Sequence, residues 1–284
     1  IPGYKYDNMV ILAGPQGIGK STLLDKMSRG WFNDSIRTFE GKDASELLQG
    51  VWLVEVSELD AFRKTDVARI KQFLSLRADR YRAAYGRHVS ELPRQCVFFG
   101  STNTTDFLQD TTGNRRFWPV DVGEQPHTKT VWRDLTDDII DQLWAEAKAR
   151  WQAGESLYLT GDVEQEAKIK QEEHREVSAR EGLIKDFVEK QVPVDWSKWP
   201  IDRRRDYWAG ATRTPDGQEL ELVDRDRIAA VEIWCELFNG NVRDLKPADT
   251  REFNAILARL DGWKRSGNVI RVGPYNVQRG FVRA

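Results

Sequence analysis

Gly14 to Ser21 reads GPQGIGKS and fits the pattern G-x-x-x-x-G-K-[ST] at every position. No other stretch restricts the fold as strongly, because this pattern works only between a strand and a helix. The apolar run Met9, Val10, Ile11, Leu12, Ala13 before it predicts a buried parallel strand. Ser21, Thr22, Leu23 and Leu24 after it predict the first turns of a helix. Glycines at 14, 17 and 19 let the backbone curl so that several N–H groups turn inward, and a helix starting near Lys20 adds its positive dipole end. Gly14, Pro15, Gln16, Gly17, Ile18, Gly19, Lys20, Ser21 and Thr22 are therefore the candidate phosphate-binding residues. Lys20 is placed to reach the β and γ phosphates of a nucleotide, and the Ser21 hydroxyl to ligate Mg²⁺.

A hydrolysis site also needs acidic and polar groups at neighbouring strand ends. Val51 to Val56, VWLVEV, predicts a second core strand with Glu55 near its end, acting on the metal directly or through water, and Glu58 placed to polarise an attacking water. Read alone, the two could equally be surface glutamates. Gln95 to Ser101 predicts a third strand, which delivers Thr102 and Asn103. The Asn103 amide could bond the attacking water or the γ phosphate, or simply start a turn. In TTGNRRFWPVDV, from Thr111 to Val122, Arg115 and Arg116 fall in a turn before another strand. One of them could neutralise γ-phosphate charge, in its own subunit or across an interface, while the other makes a structural ion pair.

Between these strands Thr65 reads as a helix N-cap, Asp66 as a first-turn acid, and Val67, Ile70, Phe73 and Leu74 as one apolar face. From Arg63 to Arg94 the cations Arg63, Lys64, Arg69, Lys71, Arg77, Arg80, Arg82, Arg87 and Arg94 face only Asp66, Asp79 and Glu91, with Tyr81 and Tyr85 interleaved. Such a stretch can follow a phosphate backbone or be a solvated basic face. Lys71, Arg77, Arg80, Arg82 and Arg87 are the nucleic-acid candidates. The net charge of -2 excludes a globally basic nucleic-acid coat but not a local channel.

Asp43 is expected to cap a short helix ending before Gly50. Leu135, Ile139, Leu143, Ala147 and Trp151 recur every four residues, predicting an amphipathic helix from Val131 to Gly154. Asp162 to Arg180 predicts a densely charged solvated or interface helix, and a shorter one follows around Leu183, Ile184, Phe187 and Val188. Pro193 to Gly217, with Arg203, Arg204 and Arg205 and with Trp196, Trp199 and Trp208, reads as a linker or docking segment. It could touch nucleic acid or pack on the preceding domain. Helices over Asp226 to Phe238 and Pro247 to Leu260, then two short strands ending near Val282, give a winged-helix order. The expected division is 1–154, 155–221 and 222–284.

No apolar run approaches the ~20 residues needed to cross a bilayer, and no stretch of the given sequence reads as a signal peptide. Cys96 and Cys235, in apolar surroundings, are expected to be reduced thiols of a cytosolic protein. His88, His127 and His174 show no metal-ligand spacing. The opening on Ile1, directly before a core strand, is what a fragment of a longer chain would show.

With the loop, WLVEVSEL, DRYRAAYGR, the strand ending in Ser101, Thr102 and Asn103, and TGNRRFWPV in that order, the chain resembles the virulence-associated protein E family. The resemblance covers about Val10 to Trp151, and more weakly the tail through its GW and YNVQRGFVR elements. It implies an α/β P-loop NTPase core similar to superfamily 3 helicases and AAA+ ATPases, with a parallel sheet flanked by helices, and a small winged-helix-like unit at the end. It further implies a nucleic-acid-stimulated ATPase using ATP and Mg²⁺, cytoplasmic in a bacterium or encoded by a phage. The expected partner is single-stranded or forked DNA, and the expected assembly a hexameric ring. By the resemblance Glu55 and Glu58 form the acidic region, Asn103 the polar sensor, and Arg115 or Arg116 the arginine finger. Leu74 to Arg87 corresponds to the region that forms DNA-contacting loops. Val56 and Ser57 separate Glu55 from Glu58 where relatives carry adjacent acids, so the catalytic glutamate is open. Two alternatives stand beside this reading: a small-molecule kinase, which would share the loop alone, and a nucleotide-regulated DNA- or replisome-binding module, which would hydrolyse slowly or not at all.

Overall fold

The computed structural model describes residues 2–58, 64–82, 87–108, 114–211, 213 and 219–284. Arg63, Tyr85, Thr111, Pro215, Gly217 and the side chains of Lys64, Thr65 and Asp66 lie outside the described residues. The chain forms two compact units, Ile1–Glu176 and Val177–Ala284.

In the first unit the elements are β1 (Met9–Ala13), α1 (Lys20–Ser28), β2 (Phe32–Asn33), α2 (Gly41–Glu46), β3 (Leu53–Val56) and α3 (Lys64–Leu74). They continue with β4 (Ala78–Tyr81), β5 (Ser90–Pro93), β6 (Val97–Thr102), β7 (Phe117–Asp121), α4 (Val131–Asp134), α5 (Asp137–Gln152) and α6 (Gly161–Glu173). A five-stranded sheet runs in the order β2-β3-β6-β1-β7, and every pairing in it is parallel. The strands are apolar on both faces, as a sheet covered on both sides requires: Met9, Ile11, Leu53, Val54, Val56 and Phe117 are all buried. Val67, Ile70, Phe73 and Leu74 turn α3 onto this core, the face its spacing predicts.

Because all five strands point one way, their carboxyl ends share an edge. Gly14, Ser57, Asn103 and Val122 follow β1, β3, β6 and β7 there, whereas Arg115 and Arg116 precede β7 at the opposite edge.

Several expected elements differ. The helix from Val131 breaks at Leu135 into α4 and α5, and its four-residue apolar repeat faces solvent: Ile139, Leu143 and Trp151 are 45%, 44% and 46% exposed. α5 packs instead through Ile140 and Trp144, whose indole stacks 4.4 Å from Trp52 and donates to the Met27 carbonyl. The basic stretch after α3 contains a β4–β5 hairpin fastened by a buried ion pair, Arg94 to both Asp79 oxygens at 2.8 and 2.9 Å. Asp43 lies in the first turn of α2 and Glu40 is the N-cap. The charged run from Asp162 to Arg180 is not one helix: α6 ends at Glu173, and Ser178 caps the next.

The second unit contains α7 (Ala179–Glu189), β8 (Val192–Pro193), α8 (Ile201–Trp208), β9 (Leu222–Val223), β10 (Arg227–Ile228), α9 (Ala230–Glu232) and α10 (Pro247–Leu257). A π-helical turn, Ile233–Leu237, extends α9. Strands β11 (Trp263–Arg265), β12 (Ile270–Arg271), β13 (Val277–Gln278) and β14 (Phe281–Arg283) complete it, with an antiparallel sheet ordered β10-β14-β11. The helix expected over Asp226 to Phe238 thus begins as a strand. Over its described residues the segment expected to link or dock sends side chains into this unit's interior: Trp196, Trp199 and Tyr207 are buried together, and Arg204 is buried between Glu232 and Glu236.

Candidate functional site at the carboxyl edge of the sheet

β1 carries its chain straight into the glycine loop, and two glycines there are dictated by geometry. A Cβ on Gly14 would lie 2.1 Å from the Val122 carbonyl oxygen, so only glycine lets the end of β7 approach. Gly19 has φ 95°, a left-handed backbone that L side chains rarely adopt, and it opens α1 with no side-chain cap. The first-turn N–H groups of Lys20, Ser21 and Thr22 are therefore left facing the loop, a setting that favours an anion.

Lys20 Nζ donates to the carbonyls of Gly14 at 2.6 Å and Pro15 at 2.9 Å, and to Asn103 Oδ1 at 2.9 Å. Burial holds its ammonium below the ordinary lysine value, with Glu55 pulling the other way. Ser21 donates to Glu55 Oε1 at 2.9 Å, and Ser101 donates to the same oxygen at 2.6 Å. Glu55 Oε2 is buried and has no hydrogen-bond partner. A buried carboxylate oxygen left open beside a hydroxyl suits a hard divalent cation, which takes oxygen ligands and keeps several waters. Ser21 and Glu55 would hold it. Among the described residues no three His, Cys, Asp or Glu side chains cluster to hold a metal by themselves.

Glu58 follows β3 in the left-handed region at φ 56° and, with Gln16, Lys20, Ser21, Thr22 and Asn103, lines a cavity of about 300 Å³ over the loop. Three strand ends thus bring Lys20, Ser21, Glu55, Glu58 and Asn103 together.

Arg115 and Arg116 are not among them. β7 runs parallel to β1 with Phe117 opposite Met9 and Asp121 opposite Ala13, so the arginines stand a strand's length, roughly 15 Å, from the loop of their own chain. Arg116 pairs with Asp7 at 3.3 Å; Arg115 is exposed and has no carboxylate partner among the described residues. Of the nucleic-acid candidates, Arg77, Arg80, Arg82 and Arg87 are exposed on or beside the β4–β5 hairpin, with Arg80 paired to Glu91 across the strands. Lys71 does not belong with them: it is buried, 5.3 Å over the Phe117 ring and bonded to Asn114.

The model of the virulence-associated protein E-like domain matches residues 1–176. The chain belongs to this family. The match ends where the first compact unit ends. No curated protein matches the chain. Among solved structures, an A-form apo structure of the NrS-1 C-terminal region aligns at a TM-score of 0.43 and 13% identity, covering 99% of this chain and 67% of that one. A further apo structure of the same region gives 0.39 and 15%, covering 99% and 68%.

Sequence reasoning missed three features of this family member's site. Ser101 reads only as the end of a strand, yet it is two residues before Asn103 and so on a strand position from which it reaches Glu55. Asp121, at the end of β7, accepts from His174 at 2.7 Å and Lys170 at 2.8 Å, bonds that tie the end of α6 to the carboxyl edge. Trp132 lies beside Gly19, where only the folded chain places it. Among the described residues no helix is long and apolar enough to cross a membrane.

Proposed function

We propose that residues 1–176 form a P-loop ATPase of the AAA+ and superfamily 3 helicase-like type that hydrolyses ATP with Mg²⁺. The observation that carries this reading is the convergence of Lys20, Ser21, Glu55 and Asn103 from three strand ends, with Glu55 Oε2 buried and open. In this reading the loop amides and Lys20 hold the phosphates, and Ser21 and Glu55 hold the cation. The bound cation would neutralise charge on the phosphate oxygens. Glu58 orients the attacking water and Asn103 senses the γ phosphate.

Arg115 then acts in trans, on nucleotide held by a neighbouring copy, because its own loop is at the other edge of the sheet. That geometry is the reason to propose a ring, hexameric by family resemblance, in a cytoplasmic bacterial or phage protein that replicates mobile DNA. The exposed cations of the β4–β5 hairpin are the proposed contacts to single-stranded or forked DNA, and residues 222–284 the proposed winged-helix-like unit.

The test is ATP turnover with and without single-stranded DNA across protein concentration. Stimulation by DNA and a rate per chain that rises with concentration are expected, with Lys20→Ala inactive. Parent turnover equal to that of Lys20→Ala, with DNA binding retained, would instead make the protein a binding module. Phosphate transfer to an acceptor other than water would make it a kinase.

A further inference from the structure

A second cavity, of about 480 Å³, borders the glycine loop, walled by Ile18 and Leu23 on one side and the segment from Asp121 to Trp132 on the other. Its size suits a small ligand rather than a bridging water. It shares Gly17, Gly19, Lys20 and Trp132 with the cavity that contains Glu58 and Asn103. Trp132 is thus the side chain, other than Lys20, that borders both.

Trp132 is 56% exposed, an unusual place for the largest apolar side chain. It is nevertheless held firmly. Lys26 Nζ donates to the carbonyls of Val131 at 2.8 Å, Trp132 at 3.1 Å and Leu135 at 3.1 Å, fastening α4 to α1. Thr130 caps α4 through the Arg133 N–H. The indole lies against the loop, close enough that a Cβ on Gly19 would touch its ring at 3.4 Å. A rigid aromatic beside a phosphate-binding loop offers a π face at little cost in conformational entropy.

We propose that this second cavity receives the nucleobase and that Trp132 is the surface on which the base stacks. The proposal rests on the reading of the loop as a phosphate site and adds where the rest of the nucleotide goes: phosphates on the Glu58 side of Lys20, base on the Val131 side. Stacking is tolerant of base identity, because every base has a π face. ATP and GTP should therefore bind alike as far as Trp132 is concerned.

The experiment is titration calorimetry of the full chain, W132A and W132F with ATP and with inorganic tripolyphosphate, which has the phosphates and no base. W132A should weaken ATP binding roughly ten- to hundredfold, leave tripolyphosphate affinity unchanged, and be largely rescued in W132F. Unchanged ATP affinity in W132A overturns the proposal, including the case where only self-association is lost. Equal loss of both ligands overturns it too, since Trp132 would then only support the loop. A parent chain that binds tripolyphosphate but gains nothing from the base sinks the base pocket alone. One that binds neither ligand sinks the phosphate site as well.

Discussion

Glu58 combines a left-handed backbone with a place in the site, and the two have separable consequences. Holding a residue with a Cβ at φ 56° costs on the order of 1–2 kcal/mol, while glycine there loses roughly 0.5–1 kcal/mol to unfolded-state entropy. Glu58→Gly should therefore unfold in urea within about 1 kcal/mol of the parent while turnover is abolished. Arg94 is the opposite case. It neutralises buried Asp79, donates to the Phe73 carbonyl and lies 4.1 Å over the Phe73 ring. Arg94→Ala strands a buried carboxylate and should cost about 3–5 kcal/mol in the same assay.

Asp121 makes stability depend on pH. Burial pushes its carboxyl up, but the bonds from Lys170 and His174 outweigh that and hold it below the ordinary aspartate value. A depressed carboxylate stabilises the fold fully above its unfolded value, about 3.9, and that contribution disappears as pH falls through the lower folded value. Asp121→Asn should therefore lose stability at pH 7, and its deficit relative to the parent should shrink in acid. Urea midpoints of both chains from pH 7 down to pH 3 measure this.

At the scale of elements, α5 shows how a correct periodicity can name the wrong face. Ile139, Leu143 and Trp151 share the four-residue spacing, yet Ile140 is the residue fully buried. Ile140→Ala should cost about 2–5 kcal/mol, whereas Leu143→Gln should stay within roughly 0.5 kcal/mol; thermal or urea unfolding distinguishes the two. The β4–β5 hairpin follows the same logic for charge. Counting cations overstated its free charge, because Arg94 and Asp79 neutralise each other inside and Lys71 turns inward. Arg80 and Arg82 replaced together by alanine should leave basal turnover intact and weaken single-strand binding. Unchanged DNA affinity in fluorescence anisotropy would remove the hairpin from the DNA path.

For the whole molecule the direction of the sheet decides most. A parallel sheet places every strand's carboxyl end on one edge, so Lys20, Glu55 and Asn103 meet and Arg115 cannot join them within one chain. Mixing Arg115→Ala with Glu58→Gln should restore part of the ATPase, since some interfaces then combine an intact arginine with an intact glutamate; two inactive proteins that stay inactive when mixed would exclude action in trans.

The sequence by itself determined the local grammar: glycine loop, apolar strands and acidic or polar strand ends are written in consecutive residues, because strand, turn and helix-start chemistry is short-range. Only the tertiary structure decided which long-range partner each charge and aromatic meets. Arg203, Arg204 and Arg205 read alike in sequence, yet one lies 3.7 Å over Trp199, one is buried between two glutamates, and one donates to the carbonyls of Cys235 and Gly240. Those partners lie tens of residues away or on other elements, and a charge is solvated or buried according to what folds over it. Ser101 and Trp132 entered the site for the same reason, and the glycine loop acquired its open carboxylate and its exposed indole only when the strands came together.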